Sequence, residues 1–100
     1  MKALSITILF AAASTAVAGS IAIGAAPNGN TATVASRIIK ENHPTCKRVT
    51  GAVRRADGAI QAYCNGASFL VFTVFNPKEG RTIELAMNCT AAKQTLDISC

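Results

Sequence analysis

DGAIQAYCNGASFLVFTVF, residues Asp57 to Phe75, is the stretch that decides the fold. Asp57-Gly58 and Asn65-Gly66 both read as two-residue hairpin turns, because glycine accepts the positive φ that such turns demand. Between them Ile60, Ala62 and Cys64 alternate with Gln61 and Tyr63, the period of a half-buried strand. Ser68 to Phe75 is a run of aromatic and β-branched residues, the composition of a central strand.

Working outward, Val49 and Val53 alternate with Arg48, Thr50 and Arg54 and supply the strand before the first turn. Asn76-Pro77-Lys78-Glu79-Gly80 makes a third turn, and Thr82 to Cys89 returns as the last strand. The tail from Thr90 to Cys100 opens with helix-compatible residues, so a short helix is expected with Leu96 turned inward. Upstream, Thr31 or Thr33 caps a helix that places Val34, Ala35, Ile38 and Ile39 on one stripe. Pro44 stops it near His43, since the residue before proline avoids helical geometry. The fold class is therefore α+β. An N-terminal helix packs on a four-stranded antiparallel β-meander, a short C-terminal helix follows, and two disulfides lock the whole.

Hairpin loop lengths set register, and register sets the faces. Two-residue loops at the first two turns and a three-residue loop at the third put Val49, Val53, Ile60, Ala62, Cys64, Phe69, Val71, Phe75, Ile83, Leu85 and Met87 on one face, under the helix. The opposite face then carries Arg48, Arg54, Gln61, Tyr63, Leu70, Phe72, Val74, Glu84 and Asn88. A solvent face should be polar throughout, and this one is not. Arg48, Arg54, Tyr63, Leu70 and Phe72 are thus the candidate binding residues, as an exposed apolar patch rimmed by cations. The competing reading is that the C-terminal helix or the leader covers the patch.

Met1 and Lys2 followed by the apolar run Ala3–Val17 and Ala16-Val17-Ala18 read as a signal peptide over residues 1–18. Residues 19–32 are small and turn-rich and read as a flexible leader, and residues 33–100 as a single small domain. The first apolar run is too short to span a bilayer, so no stable membrane span is expected after cleavage. The expected location is outside the cytoplasm, periplasmic or secreted. Cys46, Cys64, Cys89 and Cys100 all follow the signal, and an even count in a short exported chain points to disulfides. Four cysteines allow three pairings. Cys46–Cys64 with Cys89–Cys100 is preferred because each bond closes a local unit. None of the gaps has the short spacing of zinc-binding pairs, so no metal and no cofactor is expected.

The net charge of +5 falls to +4 once Lys2 is removed and favours a protein or anionic partner. Basic residues near Tyr63 and Phe72 are not a specific nucleic-acid signal, because long cations also cover apolar surface with their stems. His43 is the only histidine and reads as a helix-end residue. Glu84, His43 and an arginine compose the one conceivable hydrolytic set, of the nuclease kind. Glu41, Asp57, Glu79 and Asp97 form no pair flanking a cleft. Asn88-Cys89-Thr90 matches a glycosylation acceptor.

Tyr63 to Val71 resembles a strand hairpin of the small periplasmic lysozyme inhibitors of bacteria. The resemblance spans a cysteine, a turn and an alternating strand. It implies a disulfide-anchored hairpin and an inhibitor function. The serine- and tyrosine-bearing inhibitory loop of that family has no counterpart here, and a basic chain suits a cationic lysozyme poorly, so no residue is carried over. The expected function is that of a small exported, non-catalytic binding module. An enzyme inhibitor of the lysozyme type is the alternative, and a small hydrolase or nuclease a remote one.

Overall fold

The computed structural model describes residues 21–100; the expected signal peptide lies outside them. Its elements run β1 (Ala22–Gly24), α1 (Thr31–Asn42), β2 (Val49–Arg54), β3 (Ile60–Cys64), β4 (Ala67–Asn76), β5 (Arg81–Asn88) and α2 (Cys89–Leu96). Strands β2 to β5 form the expected antiparallel meander, with disulfides Cys46–Cys64 and Cys89–Cys100. The α+β class and the preferred cysteine pairing both hold.

Helix α1 forms as its pattern dictates. The Asn30 side chain caps it by accepting from the backbone N–H of Thr33 at 3.0 Å, one residue before the expected caps. Val34, Ala35, Ile38 and Ile39 are buried, and they meet Cys46, Ile60, Ala62, Cys64, Phe69, Val71 and Ala86 in a first core. Arg37, Lys40 and Glu41 stay exposed.

The Asn65-Gly66 turn is a two-residue loop with positive φ at both positions, and Cys64 pairs with Ala67. The other two loops are each one residue longer than expected. At the first, Arg55 donates its N–H to the Ala59 carbonyl and accepts from Gly58, so Ala56-Asp57-Gly58 is the loop. Only Gly58 has positive φ there, and the Asp57 carboxylate accepts the Ala59 N–H. This is a type I turn closed by a glycine bulge. At the third, Asn76 pairs with Arg81, and residues 77–80 form the loop, with both Glu79 and Gly80 donating to the Asn76 carbonyl.

A one-residue change in register moves every side chain of a strand to the other face. Val53 therefore leaves the helix side and is 63% exposed, while Ala52 takes its place opposite Ala62. A bulge between Val49 and Gly51 returns Val49 to the first core. Ile83, Leu85 and Met87 leave the helix side as well. Leu85 and Met87 pair with Phe72 and Leu70, and with Val74, Leu96 and Ile98 they make a second core. Helix α2 covers it. Asp97 turns the chain in a left-handed conformation, and Ile98 folds back onto that core. Phe75, expected inside, is 41% exposed. The covered patch is the competing reading of the sequence, and β4 is a strand buried on both faces.

The segment read as a flexible leader contributes a fifth strand. Strand β3 pairs only with the first half of β4, and β1 occupies the same edge beside Thr73 to Phe75. Helix α1 is thus not the first element. Three fastenings hold this segment. The Thr73 hydroxyl donates to the Ala25 carbonyl at 2.7 Å, the Ala26 N–H donates to the Gly58 carbonyl, and the Arg54 guanidinium donates to the carbonyls of Ala26, Pro27 and Gly58.

Gly58 is required twice. Its φ is +88°, and a Cβ there would lie 2.5 Å from that of Ala25. Gly58→Ala is expected to cost about 1–3 kcal/mol and to free β1. Denaturant unfolding and amide exchange at Ile23 and Ala26 check this. Unchanged protection of Ala26 would contradict it.

Candidate interaction surface

Of the five candidate residues, the structure brings two to the protein surface. Leu70 and Phe72 are each 1% exposed, inside the second core. They are not available for contact, because β5 faces them in its shifted register and α2 with Ile98 closes over them. Arg54 is also reassigned: its guanidinium is spent on the three carbonyls of the leader and first hairpin. Arg48 is exposed, just before β2, and Tyr63 is 40% exposed on β3.

Helix α2 packs on β4 and β5, which leaves the β2–β3 half of the second face open. Gly51 pairs with Tyr63 and Val53 with Gln61, so Val53 and Tyr63 are diagonal neighbours on that face. The ring of Tyr63 lies over Gly51, where a Cβ would sit 3.4 Å from its Cδ2. Gln61 donates its side-chain N–H to the Tyr63 hydroxyl at 3.2 Å. The aromatic is therefore held in place while its edge meets solvent. Val53 was expected in the core. The signal that places it outside is the length of the first loop, which Asp57-Gly58 leaves open to either value.

The charges are unevenly matched. Each of the five acidic residues has a basic neighbour. Arg37 binds both oxygens of Glu84 and also faces Glu41, Arg55 binds Asp57, Arg81 faces Glu79, and Lys93 binds Asp97. Among the described residues Lys40, Lys47, Arg48, Arg54 and Lys78 have no acidic partner; Arg54 is bound to carbonyls and Lys78 sits in the third loop, while the other three lie between the last turn of α1 and the start of β2. Lys40 lines an open groove with Thr33, Ser36, Arg37 and Val49.

Hydrogen bonding from Arg55 holds the Asp57 carboxyl below its usual range, and hydrogen bonding from Arg37 does the same for Glu84. A lowered carboxylate contributes stability above its unfolded value and loses it as pH falls. Both groups are solvent-exposed, so the contribution is small. Between about pH 5 and pH 3 the wild type is expected to lose more stability than an Asp57→Asn/Glu84→Gln variant. Melting temperatures along a pH series check this, and parallel curves would contradict it.

His43, Glu84 and Arg37 do lie along one seam, between α1 and β5, and each is engaged there. The His43 Nε2–H donates to the Ala86 carbonyl at 2.8 Å, and its ring packs on Phe69 at 4.7 Å. Its backbone N–H caps α1 on the Ile39 carbonyl. Asn88 caps α2 by accepting from Thr90. A pocket of about 120 Å³ lies beside the second core, between Ile23, Ala59, Phe72 and Ile98, and carries Asp57 as its one ionisable lining residue. Among the described residues no group of His, Cys, Asp and Glu is placed to hold a metal, and no helix is long and apolar enough to cross a membrane. Comparison with protein-family models, with curated proteins and with solved structures finds no match.

Proposed function

We propose that this chain is an exported, non-catalytic binding module whose contact surface is the open β2–β3 half of the second sheet face. One observation carries the reading. Val53 and Tyr63 sit side by side, solvent-exposed, on a sheet that α1 and α2 clamp from both sides. An apolar pair kept rigid and wet gains free energy from a partner that dries it, at little ordering cost. Tyrosine suits such a site because its ring offers contact area and its hydroxyl a polar handle. Two disulfides in a small domain fit an oxidising compartment, and with the signal-like residues 1–18 they support periplasmic or secreted placement.

The test uses a photo-crosslinking side chain in place of Tyr63, and separately in place of exposed Thr95 on α2, in cells that export the protein. A discrete adduct from position 63 that is absent from position 95, and lost with Val53→Ser, is expected. Adducts from neither position contradict the reading.

An enzyme inhibitor is the second reading. Its support is the exposed Asn65-Gly66 turn, which the Cys46–Cys64 bond anchors. Inhibition of a lysozyme that is lost on replacing Asn65-Gly66 would favour it over the Tyr63 surface.

A further inference from the structure

Strand β2 ends the sheet, and its outer edge has no partner among the described residues. The Arg55 N–H bonds inward to Ala59. Antiparallel alternation then makes Val53 and Gly51 the residues that bond to β3 and turns the backbone groups of Ala52 and Arg54 outward. Soluble proteins blunt such edges with inward charges, proline or a covering element. From Val49 to Val53 this one carries neither charge nor proline, and the bulge at Thr50 shortens it without closing it.

The surroundings of that edge differ on its two sides. Toward α1 lies the groove with Lys40, and Lys47 and Arg48 lead into the strand. These three have no acidic partner; of the other two cations without one among the described residues, Arg54 is engaged with backbone carbonyls and Lys78 lies in the third loop. On the other side lie Val53 and Tyr63. An added strand would point alternate side chains to the two sides. We propose that β2 takes up an extended acidic peptide as a sixth strand, its carboxylates toward the cations about the start of β2, with Lys40 in the α1-side groove and Lys47 and Arg48 beside it in the chain, and its apolar residues against Val53 and Tyr63. Main-chain bonds supply attachment, and the alternation of acid and apolar residues supplies selectivity. The free stretch of backbone is short, so the charges decide which peptides stay. This rests on the binding-module reading and names the partner class for it.

The experiment uses the mature, oxidised protein and a synthetic peptide alternating glutamate and valine. Amide exchange and chemical shifts are followed residue by residue, with binding measured by fluorescence anisotropy. Ala52 and Arg54 amides are expected to become protected. Replacing the glutamates by glutamine should weaken binding roughly tenfold at low salt, and added salt should shrink that ratio. Lys40→Ala/Lys47→Ala/Arg48→Ala should erase the preference for glutamate over glutamine. N-methylation of alternate peptide amides should abolish binding. Equal binding of the glutamate, glutamine and lysine peptides, shifts that map away from β2, or a β2–β2 dimer without peptide would each overturn the proposal. If position 63 gives its crosslink while the acidic peptide leaves Ala52 unprotected, the acidic-strand inference falls and the binding-module reading stands. If both results are negative, both fall.

Discussion

Truncation of Phe72 to alanine is expected to remove about 3–5 kcal/mol of folding free energy, a large share of what a domain of this size has. The whole domain is of a size that commands only about 5–15 kcal/mol. Phe72 is the largest of the fully buried side chains and is packed among Leu70, Leu85, Met87, Leu96 and Ile98. The lost transfer energy adds to the cavity left behind, because the segment that covers it, closed into a loop by Cys89–Cys100 with Leu96 and Ile98 on the core, cannot collapse freely into it. Tyr63→Ser lies on the same sheet face but outside that core, and its cost should stay within about 1 kcal/mol. Chemical denaturation of the two variants checks the contrast. A Phe72→Ala protein as stable as the Tyr63→Ser protein would mean that the second core is not formed.

The second large effect concerns Cys46–Cys64. Both cysteines are buried, at 4% and 1% exposure, and the bond closes a separation of 18 residues within the first core. Replacing both by alanine frees the unfolded chain and leaves the sulfur volume unfilled. The chain-entropy model alone assigns about 3 kcal/mol to a loop of that length. For a domain this small that corresponds to a fall in melting temperature of more than about 10 °C. The other bond is accessible, since Cys100 is exposed. A mild reductant should therefore open Cys89–Cys100 first, releasing Ile98 from the second core while α1 stays packed. Thiol alkylation followed by peptide mapping reads the order. Alkylation of Cys46 and Cys64 before Cys100 would contradict it.

The sequence carried most of the architecture in residues that admit one reading. Asn65-Gly66 formed the two-residue turn expected of it, and the β3–β4 register followed from it. The stripe Val34, Ala35, Ile38 and Ile39 made α1 unambiguous, and Pro44 ended it. Asp57-Gly58 was different. It suits a two-residue loop or a three-residue loop with a glycine bulge, and the choice decides whether Val53 is core or surface. Pro77 to Gly80 posed the same problem for Ile83, Leu85 and Met87. Loop length is a matter of one residue of backbone, and tertiary fit chose it: Ala52 rather than Val53 sits opposite Ala62, and Arg54 reaches three carbonyls. The unbroken run Phe69-Leu70-Val71-Phe72 is compatible with an exposed patch or a strand covered on both sides, and what decides it is α2 with Ile98, whose packing is not local to the run. Strand β1 was not legible, since Ala22-Ile23-Gly24 is short and is held by Thr73, Arg54 and Gly58 from far along the chain.

Candidate residues fared according to the same logic. Tyr63 kept its surface position because its register follows from Asn65-Gly66, and Arg48 stays exposed just before β2. Leu70 and Phe72 lost theirs to α2. Val53 joins the surface because the first loop holds three residues rather than two.

Hydroxyl-radical footprinting of the native, oxidised protein measures the division of the second face most directly. Tyr63 should oxidise readily, while Phe72 and Leu70 stay protected until the domain unfolds. Oxidation of Phe72 at a rate comparable to Tyr63 under native conditions would show that the face is open throughout, and the division into a sealed half and a contact half would not stand.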